Sequence, residues 1–337
     1  MLSWKPLSKS LSGILPAHHV VEPGAAAPHR VADEIATFVQ EMRTSYRALI
    51  PSAGTPDAVD QVLEIKVPAR HPDRDIPARL YKPAGAEPAD RLPVVLFVHG
   101  GGFVSGDLDT HDVLARAITG RAHVLVIAVD YRLAPEFPFP AGLEDVYAAL
   151  QWTFDHASSI GGDPARLAIC GDSAGGNLAA AAAMLARDRN GPALVAQWLM
   201  YPVVSLESNT PSWAELGDSH FPTRAVMHNV LASYVPTGIR RSGPLLAPLA
   251  GNPAGLPPAL IQVGQLDPLR DESIAYAHRL NEAGTHAAVT VYDGQAHGFI
   301  QFFKDKANHS HGEIALDEGI RFLRAHTAPG AAGKAAR

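Results

Sequence analysis

A single cysteine, Cys170, stands among 337 residues, so no disulfide can close within the chain. It sits in the apolar run Leu167-Ala168-Ile169-Cys170, where a small buried core residue is expected. Charge is sparse. Charged residues make up 18% of the chain and the formal net charge is −6, which argues against a nucleic-acid partner, since that would favour a basic patch. No apolar run approaches the ~18 residues of a membrane span. The N-terminus lacks the basic start, apolar core and cleavage site of a secretory signal, so a cytoplasmic location follows by default. No Gly-Lys-Ser or Gly-Lys-Thr occurs, which argues against a nucleotide phosphate loop. Sixteen histidines are many, but only His18-His19 and His309/His311 lie close together, and no cysteine or carboxylate cluster accompanies them. No metal site is read from them, and there is no internal repeat.

What the chain has is apolar content, 47% of its residues. At this length a fold buries roughly three quarters of its unfolded surface. Two opening strands are expected over 62–83, around a turn at 71–75. Strands and helices then alternate: strand 93–98, helix 110–121, strand 123–129, helix 141–159, strand 166–171, helix 175–189 and strand 194–200. A strand at 258–264, a helix at 270–283 and a strand at 287–292 follow. The expectation is an α/β protein with a mainly parallel eight-stranded sheet and helices on both faces.

Two stretches stand outside this alternation. Ile35, Phe38, Val39, Met42, Tyr46 and Leu49 recur at helical spacing, predicting one amphipathic helix over 33–50. Residues 205–240 hold Trp213, Leu216, Phe221, Met227, Val230, Leu231 and Tyr234, yet lie between strands that need only a crossover. They read as an insertion over the sheet, with an ordinary crossover helix and long loop as the alternative.

Residues 171–175 are Gly-Asp-Ser-Ala-Gly, between an apolar strand and an alanine-rich helix. A serine on so tight a turn carries strained backbone, and its glycines let strand and helix approach closely. The hydroxyl then points out of the sheet, as a nucleophile's must. Ser173 could instead be an ordinary helix N-cap. The strand 93–98 runs into His99-Gly100-Gly101-Gly102-Phe103, whose bare N–H groups could converge on a developing oxyanion. Downstream, Asp267 follows the strand 258–264 and His297 follows the strand 287–292. Ser173, Asp267 and His297 thus each fall just past the C-terminal end of a strand, where open α/β sheets place their ligands, and in the order expected of a Ser–Asp–His triad.

In these segments the chain resembles the hormone-sensitive-lipase-like (bacterial family IV) carboxylesterases of the α/β-hydrolase superfamily. The matching runs are HGGG (99–102), DYRLAPE (130–136), GDSAGGN (171–177), DPLRDE (267–272) and HGF (297–299), which together cover about 90–325. One departure is Phe137, where members often carry histidine; it is expected to bear on packing beneath the site. The resemblance implies a serine esterase acting on short- to medium-chain acyl esters without cofactor or metal. Its partner would be a small-molecule ester, with a homodimer left open. It implies Ser173 as nucleophile, His297 as base, Asp267 as its orienting acid, and the N–H groups of Gly101, Gly102 and Ala174 as oxyanion hole. His99 and Gly100 would support the loop. Asp130, Tyr131, Arg132 and Glu136 are expected to be structural, their charges pairing beneath it; Asp271 and Glu272 are the rivals to Asp267, but they fall in the helix and are expected to pair with arginine or cap it. Asp172 is assigned no chemistry.

The resulting organisation is a cap segment at 1–55, core at 56–204, a cap insertion at 205–240, core at 241–326 and a disordered tail at 327–337. A non-catalytic small-molecule receptor on this fold would be expected to lack the histidine, a dehydratase to lack the serine; an amidase remains a further alternative.

Overall fold

The computed structural model describes residues 28–70, 73–87 and 90–330. Eight strands form one sheet in the order β1-β2-β4-β3-β5-β6-β7-β8. They are β1 (Gln61–Arg70), β2 (Asp73–Lys82), β3 (Leu92–Val98), β4 (Leu125–Val129), β5 (Gly162–Asp172), β6 (Ala196–Met200), β7 (Ala259–Leu266) and β8 (Ala287–Ala296). β1 and β2 pair antiparallel, as do β2 and β4, and every other neighbouring pair is parallel. The turn expected at 71–75 is shorter, because Asp73 already pairs with Arg70; residues 71–72 lie outside the described residues.

The parallel centre explains the unbroken apolar runs. Every residue of β3, β4 and β6 is buried, since helices cover both faces. Successive side chains serve opposite layers: Val94, Leu96 and Val98 join one core, Val95 and Phe97 the other. The helices are α1 (Pro28–Ala48), α2 (Asp112–Ala122), α3 (Ala141–His156), α4 (Ala174–Asp188), α5 (Pro211–Leu216), α6 (Arg224–Tyr234), α7 (Arg270–Glu282) and α8 (Gly312–Thr327). The first core takes residues of α3, α4 and α7, the second residues of α2 and α8. In α4 the run Ala179–Ala183 is wholly buried, and its small side chains let the helix lie close on the sheet.

α8 has no counterpart among the sequence-based expectations. Its Ala315, Leu316, Ile320 and Leu323 are buried in the second core. It reaches Thr327, which is buried, so residue 327 belongs to this helix and not to the tail expected at 327–337; 331–337 lie outside the described residues. α1 begins earlier than expected, at Pro28, and stops at Ala48 before a short 3-10 turn over Ile50–Ala53. Of the segment 1–55, residues 1–27 lie outside the described residues. α5 and α6 fall within 205–240, each started by a threonine, Thr210 and Thr223, whose side chain caps the first turn.

Candidate active site

The chain turns sharply where β5 becomes α4. Ser173 sits at that corner with φ 54°, ψ −118°, a region that costs a non-glycine residue about 1–3 kcal/mol. The corner is over-determined. Ser173 N–H donates to the Met200 carbonyl (2.9 Å), and Ser173 O accepts from Asn177 N (3.1 Å) and Val203 N (3.2 Å). The Asn177 amide nitrogen donates to the Val203 and Leu246 carbonyls, at 2.7 and 2.9 Å. Gly175 has to be glycine, because a β-carbon there would fall 2.1 Å from the Val98 carbonyl oxygen.

His297 follows β8 directly, and its Nε2 lies 2.9 Å from Ser173 Oγ. Its Nδ1 lies 2.8 Å from Asp267 Oδ2. Asp267, wholly buried just after β7, receives the Leu269 N–H on its other oxygen (2.9 Å). The Asp267 carboxyl accepts the Nδ1 proton, which leaves Nε2 to face the serine. Three strand ends thus bring together side chains that stand 124 and 30 residues apart along the chain. Tyr201 and Phe221 bracket the imidazole, with ring centroids 4.8 and 5.7 Å from it.

The glycine loop leaves β3 opposite this corner. Gly101 has φ 123°, and its carbonyl accepts from Val104 N, Ser105 N and Ser105 Oγ, which curls the loop back on itself. Among the described residues, the N–H groups of Gly101, Gly102 and Ala174 find no acceptor, and Ala174 opens α4. Gly101 and Gly102 line the same cavity as Ser173 and His297. His99 is buried. Burial, then the neighbouring His111, lowers its pKa to about 4, so it is neutral at pH 7. Its Nδ1 meets the Gly100 carbonyl at 2.8 Å, and its ring stacks on Tyr131 at 4.4 Å. Tyr131 in turn donates to the His99 carbonyl (2.9 Å).

Neighbouring charges pair differently from expectation. Arg132 does not pair with Asp130 or Glu136; it forks onto buried Asp145, which also contacts Arg74. Glu136 pairs with Arg43 of α1, at 2.7 Å. Asp130 lies 4.0 Å from His99 Nε2. Burial, with help from Asp107 and Asp109, raises its pKa to about 6. Phe137 is not beneath the site: it is exposed, with Arg132 over its ring at 5.6 Å. Asp271 does pair with an arginine as expected, Arg270, and it accepts Ser212 N–H. Among the described residues Glu272 pairs with no arginine and caps nothing in its own helix; it is wholly buried and accepts Val204 N, Ser205 N and Trp213 Nε1.

Asp172, assigned no chemistry from sequence, is buried beside the corner. Its Oδ1 accepts Gly100 N–H at 2.8 Å and lies 3.1 Å from His111 Nε2. Burial opposes its charge, but His111 and the Gly100 N–H outweigh burial and hold its carboxyl below the usual range. His111, one histidine among sixteen at the start of α2, carried no local signal.

The cavity above Ser173 is walled by Met42 and Tyr46 of α1, by Phe103, and by Phe221, Val226, Met227 and Val230. α6 lies close over the glycine loop: a β-carbon on Gly102 would be 3.1 Å from Val230, and Phe103 stacks on Tyr234 at 3.9 Å. Arg43 fastens α1 to the loop's exit through the Val104 and Ala134 carbonyls, at 2.8 and 3.1 Å. Among the described residues no cluster of ligating side chains suits a metal ion, and no helix is long and apolar enough to cross a membrane.

Residues 95–301 match the family model described as alpha/beta hydrolase fold. The chain belongs to that family. It is 45% identical over 233 residues to the carboxylesterase NlhH of Mycobacterium tuberculosis, covering 68% of this chain and 72% of the relative. It is 40% identical over 291 residues to the carboxylic ester hydrolase LipN of the same organism, covering 84% and 75%. Among solved structures, the Pyrobaculum calidifontis esterase superimposes with a TM-score of 0.79 at 36% identity, covering 86% of this chain and 93% of that one. Within the alpha/beta hydrolases the chain groups with carboxylic ester hydrolases, as its motif resemblance implies.

Proposed function

We propose that the protein is a serine carboxylesterase that hydrolyses short- to medium-chain acyl esters through an acyl-enzyme intermediate. The observation that carries this reading is the unbroken contact from Ser173 Oγ to His297 Nε2 (2.9 Å) and from His297 Nδ1 to Asp267 Oδ2 (2.8 Å). As Ser173 Oγ adds to the ester carbonyl, His297 Nε2 takes its proton, and Asp267 stabilises the imidazolium. The carbonyl oxygen gains charge facing the N–H groups of Gly101, Gly102 and Ala174. Fixed donors of this kind lower such barriers by roughly 3–4 kcal/mol each. Collapse expels the alcohol, which takes the proton from His297. A water then repeats the sequence and releases the acid. No step calls for a cofactor.

We further read α1 and the insertion 205–240 as a cap. The apolar walls they supply support a substrate with a hydrocarbon chain, and the roof formed by α6 supports a limit on its length. Rates across p-nitrophenyl esters of increasing acyl length, with Ser173→Ala as blank, test both parts. Turnover should be lost in the variant, and in the wild type should decline for long chains. Absence of wild-type ester turnover overturns the reading, and a preference for long-chain esters overturns its chain-length part.

A further inference from the structure

Below the loop lies a second buried carboxylate–imidazole contact that the proposed reaction does not use. It occupies the place where the sheet stops fixing the loop. β3 and β5 run in parallel register up to the pair Val98–Gly171. Beyond that pair, β3 becomes the glycine loop and β5 becomes the Ser173 corner. The next link between the two is a side chain: Asp172 Oδ1 accepts the Gly100 N–H at 2.8 Å. The fit leaves no slack, because a β-carbon on Gly100 would fall 2.4 Å from Asp172 Oδ2.

The carboxylate has a second neighbour. His111 Nε2 stands 3.1 Å from the same oxygen, at ion-pair distance but outside hydrogen-bond geometry, and His111 Nδ1 meets the Thr110 hydroxyl at 2.9 Å, which orients the ring. Phe97 and His99 pack against that ring, with centroids 5.8 and 5.6 Å away. Asp172 and His111 are both buried, and among the described residues no lysine or arginine pairs with Asp172. Burying a carboxylate this way costs several kcal/mol unless hydrogen bonds and a partner offset it.

We infer that Asp172 and His111 are positioning residues: the buried carboxylate, oriented by the His111 ring, sets the distance between the glycine loop and the Ser173 corner through the Gly100 N–H. The inference rests on reading Ser173 as nucleophile and the loop as oxyanion hole. Asp172 borders the cavity beside Ser173, but neither side chain has a part in the bond-making steps of the proposed reaction. Both act by keeping the Gly101 and Gly102 N–H groups at the position the oxyanion reaches, where small displacements cost much more in the transition state than in the bound ester.

The test uses the full chain with p-nitrophenyl butyrate, and a trifluoromethyl ketone that adds to serine and presents an oxyanion. In Asp172→Ala, kcat should fall on the order of 10²-fold, as for loss of one oxyanion donor. The ketone's inhibition constant should rise by a similar factor, while KM stays nearly constant. Asp172→Asn keeps an acceptor for Gly100 N–H and should recover part of the loss. Asp172→Ala/His111→Ala should fall little below Asp172→Ala alone, since the two act as one unit. A rise in KM that matches the ketone's loss overturns the inference, as do fully multiplying single effects or an unchanged kcat. If the wild type turns over no ester, the nucleophile reading has failed instead. Hydrogen–deuterium exchange then still decides, because Asp172→Asn and Asp172→Ala should each raise exchange at residues 99–105 above the rest of the chain. Unchanged protection there overturns the positioning role.

Discussion

Glu272 accepts a hydrogen bond from the Trp213 indole N–H at 3.2 Å, with both residues buried. That contact joins α5, in the insertion, to the helix that follows Asp267. The other Glu272 oxygen accepts Val204 N and Ser205 N, both at 3.0 Å, where the chain enters the insertion. Burial pushes the carboxyl up to about 8, against the pull of these three donors. The consequence for stability has a definite sign. An unfolded glutamate ionises near its ordinary 4.5. Between that value and about 8 the unfolded chain has released a proton that the folded protein keeps. Raising the pH through this window therefore favours unfolding.

Glu272→Gln removes that titration. Wild type should lose stability relative to the variant as pH rises from 5 to 8, by up to about 1.4 kcal/mol per pH unit. Urea unfolding of both proteins at half-unit intervals measures the difference. Parallel curves would show that Glu272 keeps an ordinary pKa in the folded protein.

Ser173→Ala should remain folded and lose nearly all esterase turnover, because the proposed acyl-enzyme forms on the Ser173 hydroxyl. His297→Ala should lose a comparable amount, and the double variant little more, since members of such a unit are grossly non-additive. A fluorophosphonate should label wild type at Ser173 and leave Ser173→Ala unlabelled. Substantial turnover by the purified Ser173→Ala protein would remove Ser173 from the mechanism.

The sequence is most readable where one residue's own backbone demands it. Ser173 at φ 54° and Gly175 against the Val98 carbonyl need a strand, a tight turn and a helix, and Gly-Asp-Ser-Ala-Gly states that locally. Buried parallel strands such as β3 are legible as unbroken apolar runs. Long-range partners are not. Glu136 finds Arg43, 93 residues away, and Asp172 finds Gly100, 72 residues away; nothing beside either residue names its partner. Glu272 looks like a solvated helix charge, and only tertiary packing encloses it. α8 is a different kind of miss. Its apolar residues at 315, 316, 320 and 323 do have helical spacing. Polar neighbours and two glycines, Gly312 and Gly319, dilute the pattern.

Gly319 shows why α8 tolerates that dilution. A β-carbon there would fall 1.9 Å from Trp198 Cζ2, so the helix rests directly on the indole of β6. Trp198 cannot readily yield, because its Nε1 donates to Gln262 at 2.7 Å. Alanine would favour the helix by up to about 1 kcal/mol over glycine. Overpacking a buried site costs about 1–3 kcal/mol and should win. Gly319→Ala should therefore lower the melting temperature, read by differential scanning calorimetry, despite its better helix propensity. A rise would mean that the α8–sheet contact relaxes freely.

The cavity wall allows the proposed length limit to be moved. Met227 is buried in α6 and faces the same space as Ser173, beside Val226 and Val230. Met227→Ala should lengthen the cavity while leaving the serine, histidine and glycine loop in place. Each extra methylene that then finds apolar surroundings contributes up to ~0.8 kcal/mol, a roughly fourfold gain in kcat/KM. Longer esters should gain relative to butyrate in the variant, although large-to-small changes at buried sites cost about 2–5 kcal/mol of stability. Two series locate the effect: p-nitrophenyl esters of rising acyl length, and acetates of rising alcohol length. A shift confined to the first makes α6 the wall of the acyl side, and a shift confined to the second places it on the alcohol side. If neither profile changes in a folded variant, α6 does not limit the substrate, and the cap reading of 205–240 loses its main support.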